Sequence, residues 1–269
     1  MIFTKVISGN ENLMSIQSAI HTTEQLLINT MNLSNFEYLD NFDHGHRHTK
    51  DLLRLAIELA TKLKVVNDID WEIITATAVI HDLFADIDKT QHAQLSVNLF
   101  ETISVKFFSP KQIEKIKEAV LLHEEKTELG KPKRMAASLE AQIFYDIDNL
   151  DAFGNKGFFR YVAIYYKRKN PLAEIYDNAK SRYKNLIFAE SKNMGKSALN
   201  TLLKLAEGLT DKIKDPQDYR VKIVNFIAGQ LDLGISSPLI ISEKALNYFN
   251  QPSDQNIYQY FSDLIQEYT

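Results

Sequence analysis

The chain has 269 residues, 45% hydrophobic and 25% charged, with a formal net charge of −4. That composition is globular, long enough to bury a core unaided, and does not suggest a general nucleic-acid binder. There is no cysteine, which excludes a disulfide framework, a thiol nucleophile and a cysteine-type zinc site.

Nine glycines and six prolines are about half the usual share, so long helices are favoured over a turn-rich sandwich or barrel. The segment 1–20 carries little pattern, with Gly9-Asn10-Glu11-Asn12 suggesting a loop, and helical periodicity begins near Ser18. A helix is expected from near His48 to Lys64, with Leu52, Leu55, Leu59 and Leu63 on one side. Asp70 is a plausible N-cap for the next, Trp71 to about Leu83, which is apolar almost all round and so should be central. A third runs from about Thr90 to Ser104. Ser109-Pro110-Lys111-Gln112 opens a fourth with a capping-box pair and proline at the first helical position, and it lasts to about His123. Gly130 and Pro132 among charges mark 125–137 as a loop, after which Ser138 caps a helix carrying Leu139, Ile143, Ile147 and Leu150. Further helices are expected at 157–169, 172–190 and 196–213. Asp215-Pro216 is a boundary, because a residue before proline is pushed out of the helical region. Two or three more helices fill 217–269, interrupted by Gly234 and Ser236-Ser237-Pro238. With no alternating strand in view, the fold is expected to be all-α: a helical domain over 1–215 and a C-terminal helical extension over 216–269.

Between 151 and 200, ten Lys/Arg stand against four Asp/Glu, a local charge of +6, with nine aromatics from Phe153 to Phe188. Such a segment suits phosphate clamping and base stacking. It equally suits a solvated helix face over a tyrosine-rich core.

All seven histidines lie in the first 123 residues. His48 heads the row Leu52, Leu55, Leu59; His92 precedes Leu95 and Leu99; His123 ends the row Ile113, Ile116, Val120; and His81 with Asp82 closes the most apolar helix. Buried imidazoles on four helices need partners, since an unpartnered buried polar group costs a few kcal/mol. Any one of them alone reads as a satisfied core residue. Together with a carboxylate they match the ligand types of zinc, manganese and iron, aimed inward across a helical bundle. Asp146, Asp148 and Asp151 add carboxylates, of which Asp148, in register with Ala141, Phe144 and Ala152, should be the best buried. His44 and His46 fit a solvated loop, and His21 has no evident role.

His48 in HTKDLLRLAIELA, His81-Asp82 in AVIHDLFAD and Asp148 in SLEAQIFYDIDNLDAFG, followed by GFFRYVAIYY, together resemble the HD-domain superfamily, in particular the small bacterial HD-type phosphohydrolases, over roughly 25–215. The resemblance implies that His48, His81, Asp82 and Asp148 bind a divalent ion, whether manganese, magnesium, iron, cobalt, nickel or zinc. It also implies that His92 and His123 hold a second ion or the substrate phosphate. Two positions depart from the family's pattern. Asp51 and Asn149 stand where arginine is frequent, and each removes positive charge near the site.

A divalent ion lowers the pKa of bound water to about 7 and polarises phosphoryl oxygens, leaving the protein to position groups and meet developing charge. Asp82, His92, His123 and Lys126 are the candidate catalytic residues, and Lys126, Lys156 and Arg160 the candidate phosphate contacts; Asp86 and Asp88 are candidates to orient water or a second ion. The function expected is metal-dependent hydrolysis of a nucleotide or another small phosphate ester. Alternatives are an HD-type di-iron oxygenase and a regulatory protein that binds a nucleotide without turning it over. A homodimer would cover any apolar face that the extension leaves open. No apolar run approaches the ~18 residues of a membrane span and the N-terminus lacks a signal-peptide layout, so the cytoplasm is the expected compartment. Nothing reads a nucleic-acid sequence.

Overall fold

The computed structural model describes residues 11–33, 46–85, 87–104, 106–125, 130–209 and 215–269, which form helices joined by turns with no strand among them. The chain divides inside one helix into two compact units, one ending at Asp148 and one running from Asn149 onward. The boundary expected at 215 falls within the second.

The first unit contains α1 (Glu11–Leu33), α2 (His46–Leu63), α3 (Trp71–Ile80), α4 (His92–Ser104), α5 (Pro110–Leu122), α6 (Lys131–Ala136) and most of α7 (Leu139–Asp151). Every residue of α3 except Glu72 is buried, as its all-round apolarity requires, and α1, α2, α4 and α5 pack against it. Its buried hydroxyls are satisfied locally: Thr75 and Thr77 donate to the carbonyls of Trp71 and Ile73 at 2.7 and 2.8 Å. Leu27, Ile73, Val79, Val97, Phe100, Ile116 and Val120 form the core around it. Asp70 caps α3 by accepting from Glu72 N–H, and Ser109 with Gln112 makes the expected capping box at α5.

Three expectations need correction. α1 starts at Glu11, not near Ser18, because its buried row extends back through Ile20 to Ile16. The stretch expected as a loop contains α6, where Gly130 and Pro132 open a helix instead of breaking one; Arg134 on it is buried. Helix α2 also begins at His46, two residues early.

The second unit contains α8 (Gly154–Lys167), α9 (Glu174–Lys184), α10 (Ala189–Ala206), α11 (Tyr219–Asp232), α12 (Pro238–Tyr248) and α13 (Gln255–Tyr268). Helices α8, α9 and α10 pack together, and α13 packs on α8, α11 and α12. The expected helices 172–190 and 196–213 have different bounds. A break at 185–188 separates α9 from α10, and no glycine or proline marks it because Leu186-Ile187-Phe188 continues the apolar pattern. Gly234 does end α11, at φ 76°. Of the apolar residues of the extension, Ile223, Val224, Ile227 and Ile241 are buried within this unit, Val221, Phe226 and Leu239 are half-buried, and Ile240 is exposed.

Candidate metal centre

Helix ends bring the site together. His48 lies in the first turn of α2, His81 and His123 are the C-terminal caps of α3 and α5, and His92 is the first residue of α4. Two of these are C-termini, whose exposed carbonyl ends favour a cation. Asp82 follows His81 in the turn after α3, and Asp148 projects from α7. All four histidines are buried, from 1% exposed at His81 and His123 to 6% at His48.

His81, His92 and His123 share a local device. Each Nδ1 faces the carbonyl three residues earlier: Ala78 at 3.2 Å, Lys89 at 2.9 Å and Val120. An Nδ1–H donated there fixes the tautomer and turns the Nε2 lone pair toward the centre. The Nε2 atoms face one another and carboxylate oxygens. His48 Nε2 lies 3.3 Å from His81 Nε2, and His92 Nε2 lies 3.2 Å from His123 Nε2. Asp82 stands between the pairs. Its Oδ2 is 3.1 Å from His81 Nε2, while its Oδ1 is 3.1 Å from His92 Nε2 and 3.3 Å from His123 Nε2. Asp148 Oδ1 lies 3.9 Å from His81 Nε2.

Two sets of ligand atoms result, His48/His81/Asp82/Asp148 and Asp82/His92/His123, each with all members within 4.8 Å of one another. Ligands about 2.0–2.2 Å from one ion are separated by about 3 Å along a tetrahedral or octahedral edge, so the donor set fits a divalent cation in type and spacing. The electrostatics agree. Burial opposes charging of His92 and His123, yet hydrogen bonds to Asp82 and Glu124 override it and raise the two to about 10 and about 9. The cluster demands positive charge between its acceptors, as protons or as metal.

His92 shares its buried face with Ala93, Ser96, Val97 and Phe100, whereas Leu95 and Leu99, its expected row, are half-buried. Asp146, not Asp148, is the most enclosed carboxylate of α7, at 0% against 8% exposure. Two residues apart on a helix is about 200° of turn, so Asp146 faces into packing while Asp148 opens on the centre. Asp88 accepts from Thr90 N–H and Gln91 N–H at 2.9 and 3.2 Å, which shapes the turn into α4 and so places His92. Its carboxyl is lowered by these bonds, the Thr90 hydroxyl foremost. Lys126, Asp86 and His44 lie outside the described residues, as does the side chain of His46. His21 is exposed on α1.

Lys156 and Arg160 belong to the second unit. Lys156 Nζ lies 4.7 Å from the Tyr268 ring centroid, its backbone N–H donates to Glu267, and Arg160 pairs with Asp151. Phe153, Phe158, Phe159, Tyr161 and Tyr165 are buried, so the basic, aromatic stretch is largely core and not a stacking platform. Asn149, one of the two departures from the family pattern, accepts from Arg182 Nη1 at 3.3 Å. Sequence reasoning missed Glu124, whose Oε1 lies 3.2 Å from His123 Nε2 and 3.4 Å from His92 Nε2. Placed in the charged run Glu124-Glu125-Lys126, it carried no signal beyond its position beside His123.

Residues 45–152 match the HD domain family. Among solved structures, a Lactobacillus plantarum protein aligns with a TM-score of 0.52 at 15% identity, covering 71% of this chain and 94% of its own. The selenomethionine form of Bacillus subtilis YpgQ aligns with a TM-score of 0.50 at 13% identity, covering 74% of this chain and 98% of its own. At such identities the likeness concerns the fold. No curated protein matches the sequence.

Proposed function

We propose, from the match of residues 45–152 to the HD domain family, that the chain is a metal-dependent phosphohydrolase acting on a nucleotide or another small phosphate ester. The observation that carries this reading is the convergence of imidazole Nε2 atoms and carboxylate oxygens in two clusters at the ends of α2, α3, α4, α5 and on α7. His48, His81, Asp82 and Asp148 would hold the ion. When bound, it supplies an acidified water and polarises a phosphoryl oxygen. The chain's own part is placement: Nδ1–H bonds lock three imidazoles, and the apolar surround of α3 excludes bulk water from their far side. His92 and His123 stand where they would either hold a second ion or contact the substrate phosphate. Arg160 is committed to Asp151 and Lys156 lies over Tyr268, so neither supports the reading.

Asp82→Ala tests it. The variant is expected to lose manganese-stimulated phosphate or pyrophosphate release from a nucleotide panel while its far-UV circular dichroism stays helical. Turnover equal to the parent chain's overturns the proposal.

A second reading has one observation in its favour. Asp82 offers separate oxygens to the two ligand sets, as a carboxylate bridging two ions would. An oxygenase with two irons needs such a bridge. Iron-dependent oxygen uptake without phosphate release would select it.

A further inference from the structure

We infer that Glu140 is a positioning residue of the metal centre: held by Lys115 and the Asp70 N–H, it fixes the axial register of α3, α5 and α7, whose far ends carry His81, His123 and Asp148. The inference rests on the metal-centre reading above and extends it to a buried carboxylate eight residues from the ligand on its own helix.

Glu140 lies in the first turn of α7 and is 4% exposed. A carboxylate so enclosed must be met by donors. Lys115 on α5 donates to both of its oxygens, at 3.1 and 2.9 Å. The backbone N–H of Asp70, the N-cap of α3, donates to its Oε1 at 3.2 Å. Two further bonds tie the same three helices. Gln112, in the first turn of α5, donates to Asp70 Oδ2 at 3.1 Å, and Glu118 on α5 accepts the N–H of Ser138, just before α7, at 3.0 Å. All of these residues lie in the first unit.

The three helices meet again at the centre. His123 follows Lys115 by eight residues, Asp148 follows Glu140 by eight, and His81 follows Asp70 by eleven. There His81 Nε2 lies 3.9 Å from Asp148 Oδ1, and the rings of His81 and His123 are 5.2 Å apart. Along both α5 and α7, clamp and ligand are thus separated by about 12 Å of helical rise. A slip of one residue would carry a ligand about 1.5 Å along its helix and about 100° around it. Metal–ligand distances tolerate about 0.2 Å. The apolar surface of α3 buries well but non-directionally, and does not by itself say where along its axis a neighbouring helix stops. An enclosed ion pair does. Such a pair adds little net stability over apolar residues of the same volume, and its best-attested use is to set register.

The test is manganese affinity by isothermal titration, with the visible absorption of cobalt bound in its place reading ligand geometry, on the full chain and three variants. Circular dichroism and thermal unfolding check the fold of each. Glu140→Gln keeps the reach and an acceptor but not the charge, and should bind manganese like the parent. Glu140→Asp keeps the charge but is one methylene short, and should bind about tenfold less tightly, with shifted cobalt bands. Lys115→Met with Glu140→Leu removes both charges at similar volume. Its thermal midpoint should stay close to the parent's while its affinity falls about tenfold or more, a separation that a merely structural pair would not give. Parent-like affinity and cobalt spectrum in Glu140→Asp or in the double variant overturn the inference and leave the metal centre standing. So does a greater loss in Glu140→Gln than in Glu140→Asp, or a double variant that does not fold. No ion in the parent chain ends both this inference and the reading beneath it.

Discussion

At Asp82 the two carboxylate oxygens point to different histidines, one toward His81 and one toward His92 and His123. This is why its loss should be more severe than loss of any single imidazole. The same contacts set a pH dependence in protein stripped of metal. His92 and His123 are held at about 10 and about 9, against an ordinary value near 6.5. A group whose pKa is raised on folding stabilises fully below its unfolded value and loses that contribution as pH climbs through the folded one. Thermal midpoints measured in chelator are therefore expected to fall between about pH 7 and 10, and to fall less in a His92→Gln variant. Equal slopes in the two proteins would contradict that assignment. Much of this was legible in the residues: His48 and His123 head or end apolar rows, and His81-Asp82 closes the most apolar helix. The Asp146/Asp148 order was not, because both lie in an apolar helix and only the placement of the centre decides which one opens. Glu124 was hidden for the opposite reason: an acid in a charged run reads as solvated until two imidazoles are found against it.

Among the elements, those with chemical punctuation were read closely. Asp70 and Ser109 start α3 and α5 where their side chains cap, and Gly234 ends α11 where a positive φ is required. The break between α9 and α10 has no such mark, and the Gly130–Pro132 signal reads equally as a loop or as the start of α6. Two helix ends lack the residue their backbone favours. Lys64 after α2 and Lys169 after α8 adopt φ 61° and 55°, the left-handed region that costs a side-chain-bearing residue about 1–2 kcal/mol. Both are exposed. Lys64→Gly or Lys169→Gly should raise stability by up to about 1 kcal/mol, the gain at φ being partly offset by glycine's greater freedom when unfolded. Chemical denaturation followed by circular dichroism checks this, and lower midpoints in both variants would refute it.

Across the molecule, charge and chemistry are segregated. The residues of both ligand sets, and Glu124, belong to the first unit. The segment 151–200, with its excess of lysine and arginine, belongs to the second and buries most of its aromatics. The all-α class followed from few chain-breakers and unbroken helical periodicity, and no described helix is long and apolar enough to cross a membrane. What composition could not reveal was that four helix ends and one helix face would converge on a point, since convergence depends on packing between distant segments. The most direct test of the central claim is metal content per chain, by inductively coupled plasma mass spectrometry on protein purified with neither added metal nor chelator, beside Asp82→Ala. One or two divalent ions per chain, lost in the variant, are the predicted result. A chain that holds no metal, even after incubation with manganese, iron, cobalt, nickel and zinc, would contradict the account.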